Sequence, residues 1–380
     1  MEYKKLKYIA AYPTGKLNSN AAVEGGKYPF FTCAHEVYSI NKYAYEGEYV
    51  LLGGNNASGD FPIFYYNGKF EAYQRTYLIQ PLDTSNYDTH YLYYSIGLKL
   101  AKMRANASGT ATKFLTKPIL DNLYIEDWDI DYQKNIVSIM SSYDNLIEIN
   151  NKRIKILEQM AENLYKEWFV RFRFPGHENA EFVDGVPKGW KVCKLKDIIK
   201  FNPKYDFKQQ YSYINIPMAA LSTSGMSIDK SQITIEEKSS GTHFVNGDVL
   251  FAKITPCLEN GKTGLVNCLN DDEVGTGSTE FIVMHGVKVD SFFTYCIARD
   301  ELFRKQAINS MNGADGRQRA DLTFIKKIKW LLPSDELLVR FKRFTDSFIK
   351  QIEMFNKQNQ NLIKQRDYLL PRLMSGKLQV

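Results

Sequence analysis

The sequence predicts an α+β protein with an internal pseudo-two-fold repeat, in which two similar mixed α/β domains are separated by two long coiled-coil helices. Three observations lead to this fold class. The chain repeats short words in the same order, each copy is rich in aromatic and β-branched runs, and each copy ends in a heptad of apolar residues. A period of about 200 residues is too long for a solenoid unit and long enough for a domain with its own core.

The repeat is defined by matched words that keep their order along the chain. Residues 5–9 (KLKYI) return as 194–198 (KLKDI), and Gly47-Glu48 returns as Gly247-Asp248. Ile147-Glu148 and Asn151-Lys152 return as Ile352-Glu353 and Asn356-Lys357, with unchanged spacing between the two words. Each copy is therefore expected to hold a globular part of variable length, followed by a helix that tolerates no insertion.

Composition places the chain among globular proteins. Its 380 residues are 44% hydrophobic and 24% charged, which suits about two domains and argues against disorder. No apolar run approaches the ~20 residues that cross a bilayer, and residues 1–5 lack a signal-peptide core, so we expect a cytoplasmic protein. The net charge of +6 permits a nucleic-acid partner without requiring one, and five scattered cysteines suit reduced thiols.

The first domain, residues 1–130, is predicted to consist mostly of strands. Runs at 28–32, 48–52, 63–66 and 76–79 combine aromatic and β-branched residues, and Asn67-Gly68 between two of them is a hairpin signal. Residues 91–104 have helical spacing. A loop rich in Gly, Ser and Asn follows this helix at 105–112.

Residues 131–172 are predicted to form the first spacer helix. The stretch 131–169 contains no Gly or Pro, and it would be about 58 Å long at 1.5 Å per residue. Its apolar seam alternates steps of three and four, with Asn150 as the polar residue on the seam. The apolar members are Ile136, Met140, Tyr143, Ile147, Ile154, Leu157, Ala161, Leu164 and Trp168.

The second spacer helix and the C-terminal tail occupy residues 335–380. The seam returns there as Phe341, Phe348, Ile352, Phe355, Leu362, Leu369 and Leu373, interrupted by Thr345, Asn359 and Arg366. Each helix needs a partner for its stripe, and the other helix is the nearest candidate. The alternative, two amphipathic helices that each lie on their own domain, is less favoured because the seam is narrow and long.

A linker at residues 173–186 and a second domain at 187–334 complete the division of the chain. Phe174-Pro175-Gly176 breaks the first helix, and Pro187-Lys188-Gly189-Trp190 opens the second globular part. Strands are predicted at 233–235, 248–251, 264–266 and 280–284. A helix at 292–309 and a Gly/Asn-rich loop at 311–316 follow, in the same order as in the first copy.

The chain does not resemble a catalyst. Gly275-Thr276-Gly277 lacks the surrounding pattern of a phosphate loop, and Asn202-Pro203-Lys204-Tyr205 is read as a turn rather than an adenine-binding loop. Cys33-Ala34-His35-Glu36 holds ligand types without a second ligand pair. We therefore expect no catalytic residue, no metal and no cofactor bound by this chain.

Polar and basic loops among the aromatic strands are the candidate DNA contacts, because such side chains read base edges and neutralise phosphates. For any single position, a solvated polar loop is the alternative reading. The matched loops 107–113 and 312–319 favour Arg317 or Arg319 as a base reader and Lys113 as a phosphate contact. The full set is Asn55, Asn56, Ser58, Arg75, Arg104, Lys113, Lys253, Thr255, Lys262, Arg317, Gln318 and Arg319.

The chain resembles the specificity (S) subunit of type I restriction-modification systems over nearly its whole length. The resemblance rests on the duplicated plan, on residues 168–176 and 187–190, and on 369–378 (LLPRLMSGKL) near the end. It implies a sequence-specific DNA-binding subunit with two target-recognition domains, each gripping one half of a bipartite asymmetric site. The two spacer helices would pack antiparallel and dock two methyltransferase (M) subunits.

The resemblance also assigns the cofactors to other subunits. S-adenosylmethionine would be bound by the M subunits, and ATP and Mg by restriction (R) subunits where these exist. The first copy lacks the Pro-x-x-Trp opening, which leaves open whether the first domain depends on the C-terminal end. The resemblance implies termini that lie together in a circular arrangement, so residues 375–380 would pack beside the first domain. The alternative function is a coiled-coil scaffold that binds proteins through its two lobes without contacting DNA.

An antiparallel pair would also set the register of the seam. An axis near residue 152 of the first helix would bring Asn150 opposite Asn359 and Ile154 opposite Phe355. Buried asparagines on a seam cost stability and fix register. Two solvated asparagines at gaps in the seam are the competing interpretation.

Overall fold

The computed structural model describes residues 2–56, 59–106, 114–205, 212–270, 272–314 and 316–380. The chain forms two compact units. Unit 1 comprises Met1–Ile149 and Lys357–Val380, and unit 2 comprises Asn150–Asn356. The boundaries of the units lie inside the two long helices, so each unit contains one part of both.

Unit 1 is built around a mainly antiparallel sheet. Its six strands have the order β2-β7-β5-β6-β3-β4, with β3 parallel to β6, and β1 pairs separately with β8. The strands are β1 (Glu2–Lys5), β2 (Ala10–Ala11), β3 (Tyr28–Phe31), β4 (Tyr38–Ile40), β5 (Tyr45–Gly53), β6 (Ile63–Ala72), β7 (Thr76–Pro81) and β8 (Tyr124–Asp127). The helices that begin in unit 1 are α1 (Thr89–Asn106), α2 (Lys117–Asp121) and α3 (Ile130–Tyr165).

Strand β5 is apolar on both faces because each face meets a different core. Val50 and Leu52 lie in the cluster that includes Leu92 of α1. Leu51 points the other way, into a cluster with Phe31 and Phe70. This period of two explains why the run predicted at 48–52 is continuous rather than alternating.

The predicted hairpin at Asn67-Gly68 is wrong. Both residues lie inside β6, where Asn67 pairs with Glu48 and Gly68 with Gly47. The facing glycines have φ values of 147° and 122°, which only glycine adopts readily, so the pair accommodates a local distortion within a continuous ladder. The chain reverses between β5 and β6 instead, as their antiparallel pairing shows.

Unit 2 contains two four-stranded sheets, ordered β12-β19-β16-β17 and β14-β13-β18-β15, and the strand pairs β9–β10 and β11–β20. Its strands are β9 (Phe182–Val183), β10 (Val186–Pro187), β11 (Lys191–Lys194), β12 (Ile199–Phe201), β13 (Tyr213–Ile216), β14 (Thr234–Glu236), β15 (Thr242–Phe244), β16 (Val249–Ala252), β17 (Thr263–Leu265), β18 (Gly275–Gly277), β19 (Phe281–Gly286) and β20 (Lys329–Leu332). The helices are α4 (Ser291–Arg299), α5 (Glu301–Asn309), α6 (Leu322–Ile325) and α7 (Asp335–Met374).

The single helix predicted at 292–309 is two helices. Asp300 has extended backbone angles between α4 and α5. Its carboxylate accepts hydrogen bonds from the backbone N–H groups of Leu302 and Phe303, which caps the start of α5. The N-cap residue Asp300 therefore separates the two helices, and the spacing of apolar residues gives no sign of this break.

The two copies share the same opening and closing contacts. Glu2 faces Asp127 in β1–β8, and Lys191 faces Leu332 in β11–β20. Leu82 N donates to Ile9 O at 2.8 Å, and Val287 N donates to Ile198 O at 2.9 Å. The repeat seen in the sequence is thus a repeat of backbone contacts.

The long helices run antiparallel within each unit, as the resemblance implied. In unit 1, Arg366 donates to Asp144 at 2.8 Å, while Leu373 shares a core with Ile136. In unit 2, the Arg153 guanidinium lies 5.5 Å from the Phe355 ring centre. Further along unit 2, the rings of Trp168 and Phe341 are 5.8 Å apart.

Buried seam residues confirm the predicted heptad. Ile136, Met140 and Ala161 on α3 are fully buried, as are Phe341 and Ile352 on α7. A π-helical turn, Lys166–Val170, follows α3. No helix in the described ranges is long and apolar enough to cross a membrane.

The C-terminal tail packs on the first domain, as expected. Trp128 Nε1 donates to Met374 O, and the Tyr132 hydroxyl donates to Leu378 O, both at 3.0 Å. Gly376 has φ +67°, and a Cβ there would lie 2.8 Å from the Trp128 ring. The tail therefore needs glycine to approach the indole this closely.

Candidate nucleic-acid interface

One backbone contact defines an equivalent surface in each unit. In unit 1, the segment after the Gly/Ser-rich loop returns to the end of β5, where Leu115 N donates to Gly54 O at 2.9 Å. In unit 2, Ala320 N donates to Lys253 O at 2.9 Å, directly after β16. Isolated bridges extend both contacts, from Asn55 to Phe114 and from Ile254 to Arg319.

In unit 2 this contact brings two candidate groups together. Thr255 N donates to Gln318 O at 3.0 Å, so the segment 253–255 lies against 317–319. We call these six residues the unit 2 surface. Five of them are predicted DNA contacts, namely Lys253, Thr255, Arg317, Gln318 and Arg319.

Glu280 neutralises part of the unit 2 surface. Arg319 grips this carboxylate with both arms of its guanidinium, Nε at 2.9 Å from Oε2 and Nη2 at 2.6 Å from Oε1. Lys253 Nζ lies 3.9 Å from Glu280 and donates to Thr279 O at 2.8 Å. The Arg319 hydrogen bonds hold the pKa of Glu280 below its usual range. Part of the hydrogen-bonding capacity of Arg319 is therefore used by Glu280.

Arg317 is the more available cation. Its side chain is exposed, and within the described ranges its guanidinium has no ion-pair partner. Its carbonyl accepts from Arg319 Nη1 at 3.2 Å, which fixes the backbone from which the side chain projects. Lys262 is half-buried, and its Nζ donates to Met218 O at 3.0 Å.

In unit 1 the structure brings Asn55 and Arg75 together. Gly54 N donates to Arg75 O at 2.8 Å, and the Arg75 side chain is exposed. Asn56 follows as a half-buried residue. Ser58 and Lys113 lie outside the described residues.

Arg104 belongs to a different feature of unit 1. Its Nη1 lies 2.7 Å from Asp60, whose other oxygen lies 3.3 Å from His35 Nε2. These three residues line an open cleft of about 600 Å³. The ion pair between Arg104 and Asp60 reduces the positive charge that Arg104 would offer to a phosphate.

Sequence reasoning missed Phe114 and Glu280. Phe114 occupies the place in unit 1 that Arg319 occupies in unit 2, and its side chain is 52% exposed. Aligning Leu115 with Ala320 would have matched the two residues. No local pattern signals that Glu280 meets Arg319, because 39 positions separate them.

The motifs that lack a catalytic pattern have structural roles in unit 2, whereas in unit 1 Cys33 is half-buried and His35 is exposed. Gly275–Gly277 is the buried strand β18. The Tyr205 hydroxyl donates to the buried Asp248 at 2.6 Å, and His285 Nδ1 lies 2.8 Å from the same carboxylate. Burial raises the pKa of Asp248. The described residues contain no cluster of three His, Cys, Asp or Glu that could hold a metal.

Exposed apolar side chains lie along both long helices. In unit 1 they are Leu146, Ile149, Ile363 and Tyr368, and in unit 2 they are Ile156, Met160, Val339, Phe344 and Met354. Burying such side chains against a partner would contribute favourable free energy, so they are the candidate docking positions of the two helices. The seam residues Asn150 and Asn359 are each buried, and their pairing stays a prediction.

One protein family matches most of this chain. The family model described as the type I restriction modification DNA specificity domain matches residues 1–159 and 187–365. The EcoDI specificity subunit of Escherichia coli is 28% identical over 273 residues, covering 64% of this chain and 60% of that protein. The MjaIX specificity subunit of Methanocaldococcus jannaschii is 27% identical over 311 residues, covering 77% and 69%. This chain thus spans less than two thirds of the EcoDI subunit.

A solved structure shows the same fold. The S subunit of a type I restriction-modification system from M. genitalium has a TM-score of 0.55 and 14% identity, covering 98% of this chain and 95% of that one. This likeness confirms the predicted fold class of repeated mixed α/β domains and long helices.

Proposed function

Because the chain belongs to the type I restriction modification DNA specificity family, we propose that it is a specificity subunit that binds one split, asymmetric DNA sequence. Each domain reads one half of that sequence. Family membership also supports the prediction that the chain is not itself an enzyme.

Both units contain the same backbone contact, but the side chains that project from it differ. This observation supports the proposal most directly. The contacts of Leu115 with Gly54 and of Ala320 with Lys253 are equivalent, yet they present Phe114 in one unit and Arg319 in the other. Base edges differ in their donors, acceptors and methyl groups, so different side chains in one frame select different bases. Two such readers fit a site with two unlike halves.

The spacer helices set the distance between the half-sites and dock two M subunits. Their exposed apolar residues supply partner surfaces in both units, and burying them would contribute favourable free energy. The M subunits bind S-adenosylmethionine and methylate DNA. Where R subunits are present, they bind ATP and Mg, and the chain itself binds no cofactor.

Selection of bound DNA tests the proposal. The full chain with its cognate M subunits is incubated with random duplexes, and the bound pool is sequenced. We expect two fixed words separated by a constant gap of unspecified sequence, with affinity that falls steeply as salt rises. Labelled S-adenosylmethionine should methylate this DNA only when M subunits are added.

The scaffold alternative gives the opposite result. A chain that only joins proteins would show no salt-dependent duplex binding and no enriched word. A single continuous word, or methylation by the chain without M subunits, would also contradict the proposal.

A further inference from the structure

Two arginines of unit 2 grip one loop by its backbone. The loop, residues 256–261, connects β16 with β17. Arg299 Nη1 donates to Gly261 O and to Thr223 O, both at 2.8 Å. Arg304 Nη2 donates to Glu259 O at 2.9 Å and reaches Leu258 O at 3.5 Å. Arg299 at the end of α4 and Arg304 within α5 thus hold the carbonyl groups of three loop residues, Leu258, Glu259 and Gly261.

These arginines act on carbonyl groups instead of carboxylates. Neither guanidinium forms an ion pair within the described ranges, and the Nε atoms of both are buried without a hydrogen-bond partner among those residues. Burial and the neighbouring Arg299 lower the pKa of Arg304. Two cations without carboxylate partners repel each other when they lie side by side. Their hydrogen bonds to the loop carbonyls offset this cost.

Glycine makes the close approach possible. Gly261 has φ +76°, and a Cβ there would lie 2.9 Å from Arg304 Nη2 and 3.2 Å from Arg299 Nη1. Glu259 and Asn260 precede it and are both exposed. The loop therefore exposes two polar side chains to solvent, while the two arginines hold its backbone.

The loop continues directly from the unit 2 surface. Thr255 precedes it, and Lys262 follows it and donates its backbone N–H to Cys257 O at 2.9 Å. Leu258 N donates to Ile254 O at 2.9 Å, and this closes the loop onto the segment that meets Arg319. Asn260 therefore lies exposed on a loop that is continuous with the candidate DNA contacts Thr255 and Lys262.

We propose that Asn260 is a specificity-determining residue that reads a base edge in the half-site bound by unit 2, and that Arg299 and Arg304 are its positioning residues. This rests on the proposed function. An asparagine amide offers one donor and one acceptor, which match the N6 amino group and N7 of adenine in the major groove. A fixed backbone restricts the positions that the amide can take and so favours bidentate geometry.

The first copy lacks this arrangement. Asp88 and Asp290 cap the starts of α1 and α4 by accepting from the N–H groups of Tyr91 and Phe293, so Gly97 and Lys102 take the places of Arg299 and Arg304. Gly97 has no side chain and Lys102 is exposed, so the first copy lacks the pair of arginines. The effect of the two arginines should therefore be confined to one half-site, and the other half-site serves as an internal control.

The test uses the full chain with its M subunits and DNA pools randomised in one half-site at a time. Asn260→Ala should lose about tenfold or more of the discrimination at one base pair, as expected for a bidentate base contact. Arg304→Ala should relax the same base pair. The half-site read by unit 1 should be unchanged in both variants. Lys305→Ala, which removes an exposed charge one residue along α5, is the control and should keep the same preferences.

Unchanged preference at every position in both Asn260→Ala and Arg304→Ala would overturn the proposal. If Arg304→Ala loses its fold, measured by thermal unfolding, Asn260→Ala still decides, because the exposed Asn260 side chain makes no hydrogen bond within the described chain. A wild-type complex that selects no split sequence would instead reject the proposed function, which separates the two failures.

Discussion

At the residue scale, the unit 2 surface contains cations of two kinds. Arg319 is held by Glu280 through two hydrogen bonds, whereas Arg317 projects from a fixed backbone into solvent. A base contact requires a side chain that is free to meet the DNA without first breaking an ion pair. Arg317 is therefore the better candidate base reader of the two.

Arg317→Ala should weaken binding of the target by about 1–3 kcal/mol and relax one position of the recognised sequence. Arg319→Ala should lower affinity for all sequences alike and reduce the salt slope by about one, since its charge remains near the DNA. Fluorescence anisotropy with single-base variants of the target, at several salt concentrations, measures both effects.

Glu280→Gln is the matched control for these variants. It frees the Arg319 guanidinium without removing a cation, so we expect tighter binding to every duplex and a steeper salt slope. If Arg317→Ala and Arg319→Ala both bind like the wild type, the unit 2 surface does not contact DNA.

Glu158 on α3 is a buried carboxyl that accepts backbone hydrogen bonds. Its Oε1 accepts from Met226 N at 3.0 Å and Ser227 N at 3.2 Å, and burial raises its pKa despite these bonds. Folding therefore favours the protonated carboxyl, so its contribution to stability is full below about pH 4.3 and is lost as pH rises towards the raised value. In Glu158→Gln, the free energy of unfolding should fall less than in the wild type between about pH 4 and 7.

Urea unfolding at several pH values measures this slope. Glu353→Gln, an exposed position on α7 in the same unit, is the control and should keep the wild-type slope. Identical slopes for Glu158→Gln and the wild type would show that this carboxyl does not titrate with folding.

Residue types and matched loops were predictable from the sequence, but their partners were not. The sequence showed a matched loop before each long helix, but the return of the chain to the end of a strand after these loops was not predicted. The pairing of Arg319 with Glu280 and the grip of Arg304 on Glu259 depend on tertiary folding, which local periodicity does not encode.

At the element scale, the heptad was the most reliable signal. It predicted a helix over 131–169, and the structure has α3 at Ile130–Tyr165 followed by a π-helical turn. The two errors both involve residues whose role depends on context. Gly68 lies inside a strand and not in a turn. Asp300 caps the start of α5, which the apolar spacing had predicted to be continuous with α4.

The seam also leads to a prediction about register. The Arg153–Phe355 contact in unit 2 lies one position from the predicted pairing of Ile154 with Phe355. We still expect Asn150 and Asn359 to pair, and a double-mutant cycle with Asn150→Leu and Asn359→Leu tests this. Coupling beyond about 0.5 kcal/mol in the free energy of unfolding supports the pair, and additive effects reject it.

Helix length should set the gap between the half-sites. Inserting seven residues after Asn151 and seven after Asn356 preserves the heptad phase and lengthens both helices by about 10 Å, or roughly three base pairs. The selected sequence should keep both words and gain about three base pairs between them.

The linker provides the control for this insertion. Seven Gly and Ser residues added within 173–186 should leave the gap unchanged. If the helical insertion altered the words and left the gap as it was, the helices would not determine the spacing.

At the scale of the whole molecule, the tail links the chain's last residues to its first domain. Deleting residues 375–380 removes the Tyr132–Leu378 hydrogen bond and the packing of Gly376 on Trp128. Unit 1 should lose roughly 1–3 kcal/mol of stability. Selection should then show weaker preference in the half-site read by unit 1.

Deleting only residues 379–380, which are exposed, is the control and should have no effect on either measurement. Equal loss of both half-sites after the longer deletion would mean that the tail supports the complex as a whole and not unit 1 in particular.

The split construction of unit 1 also matters while the protein is being made. Unit 2 is one uninterrupted stretch, whereas unit 1 needs Lys357–Val380 in addition to Met1–Ile149. A ribosome adding about 5–20 residues per second therefore releases every residue of unit 2 before unit 1 can close. A chain released early would leave Ile136 and Met140 without Leu373 and expose their apolar surface. We expect chaperones and proteases to remove such products, and under the proposed function this keeps half-made subunits from binding DNA.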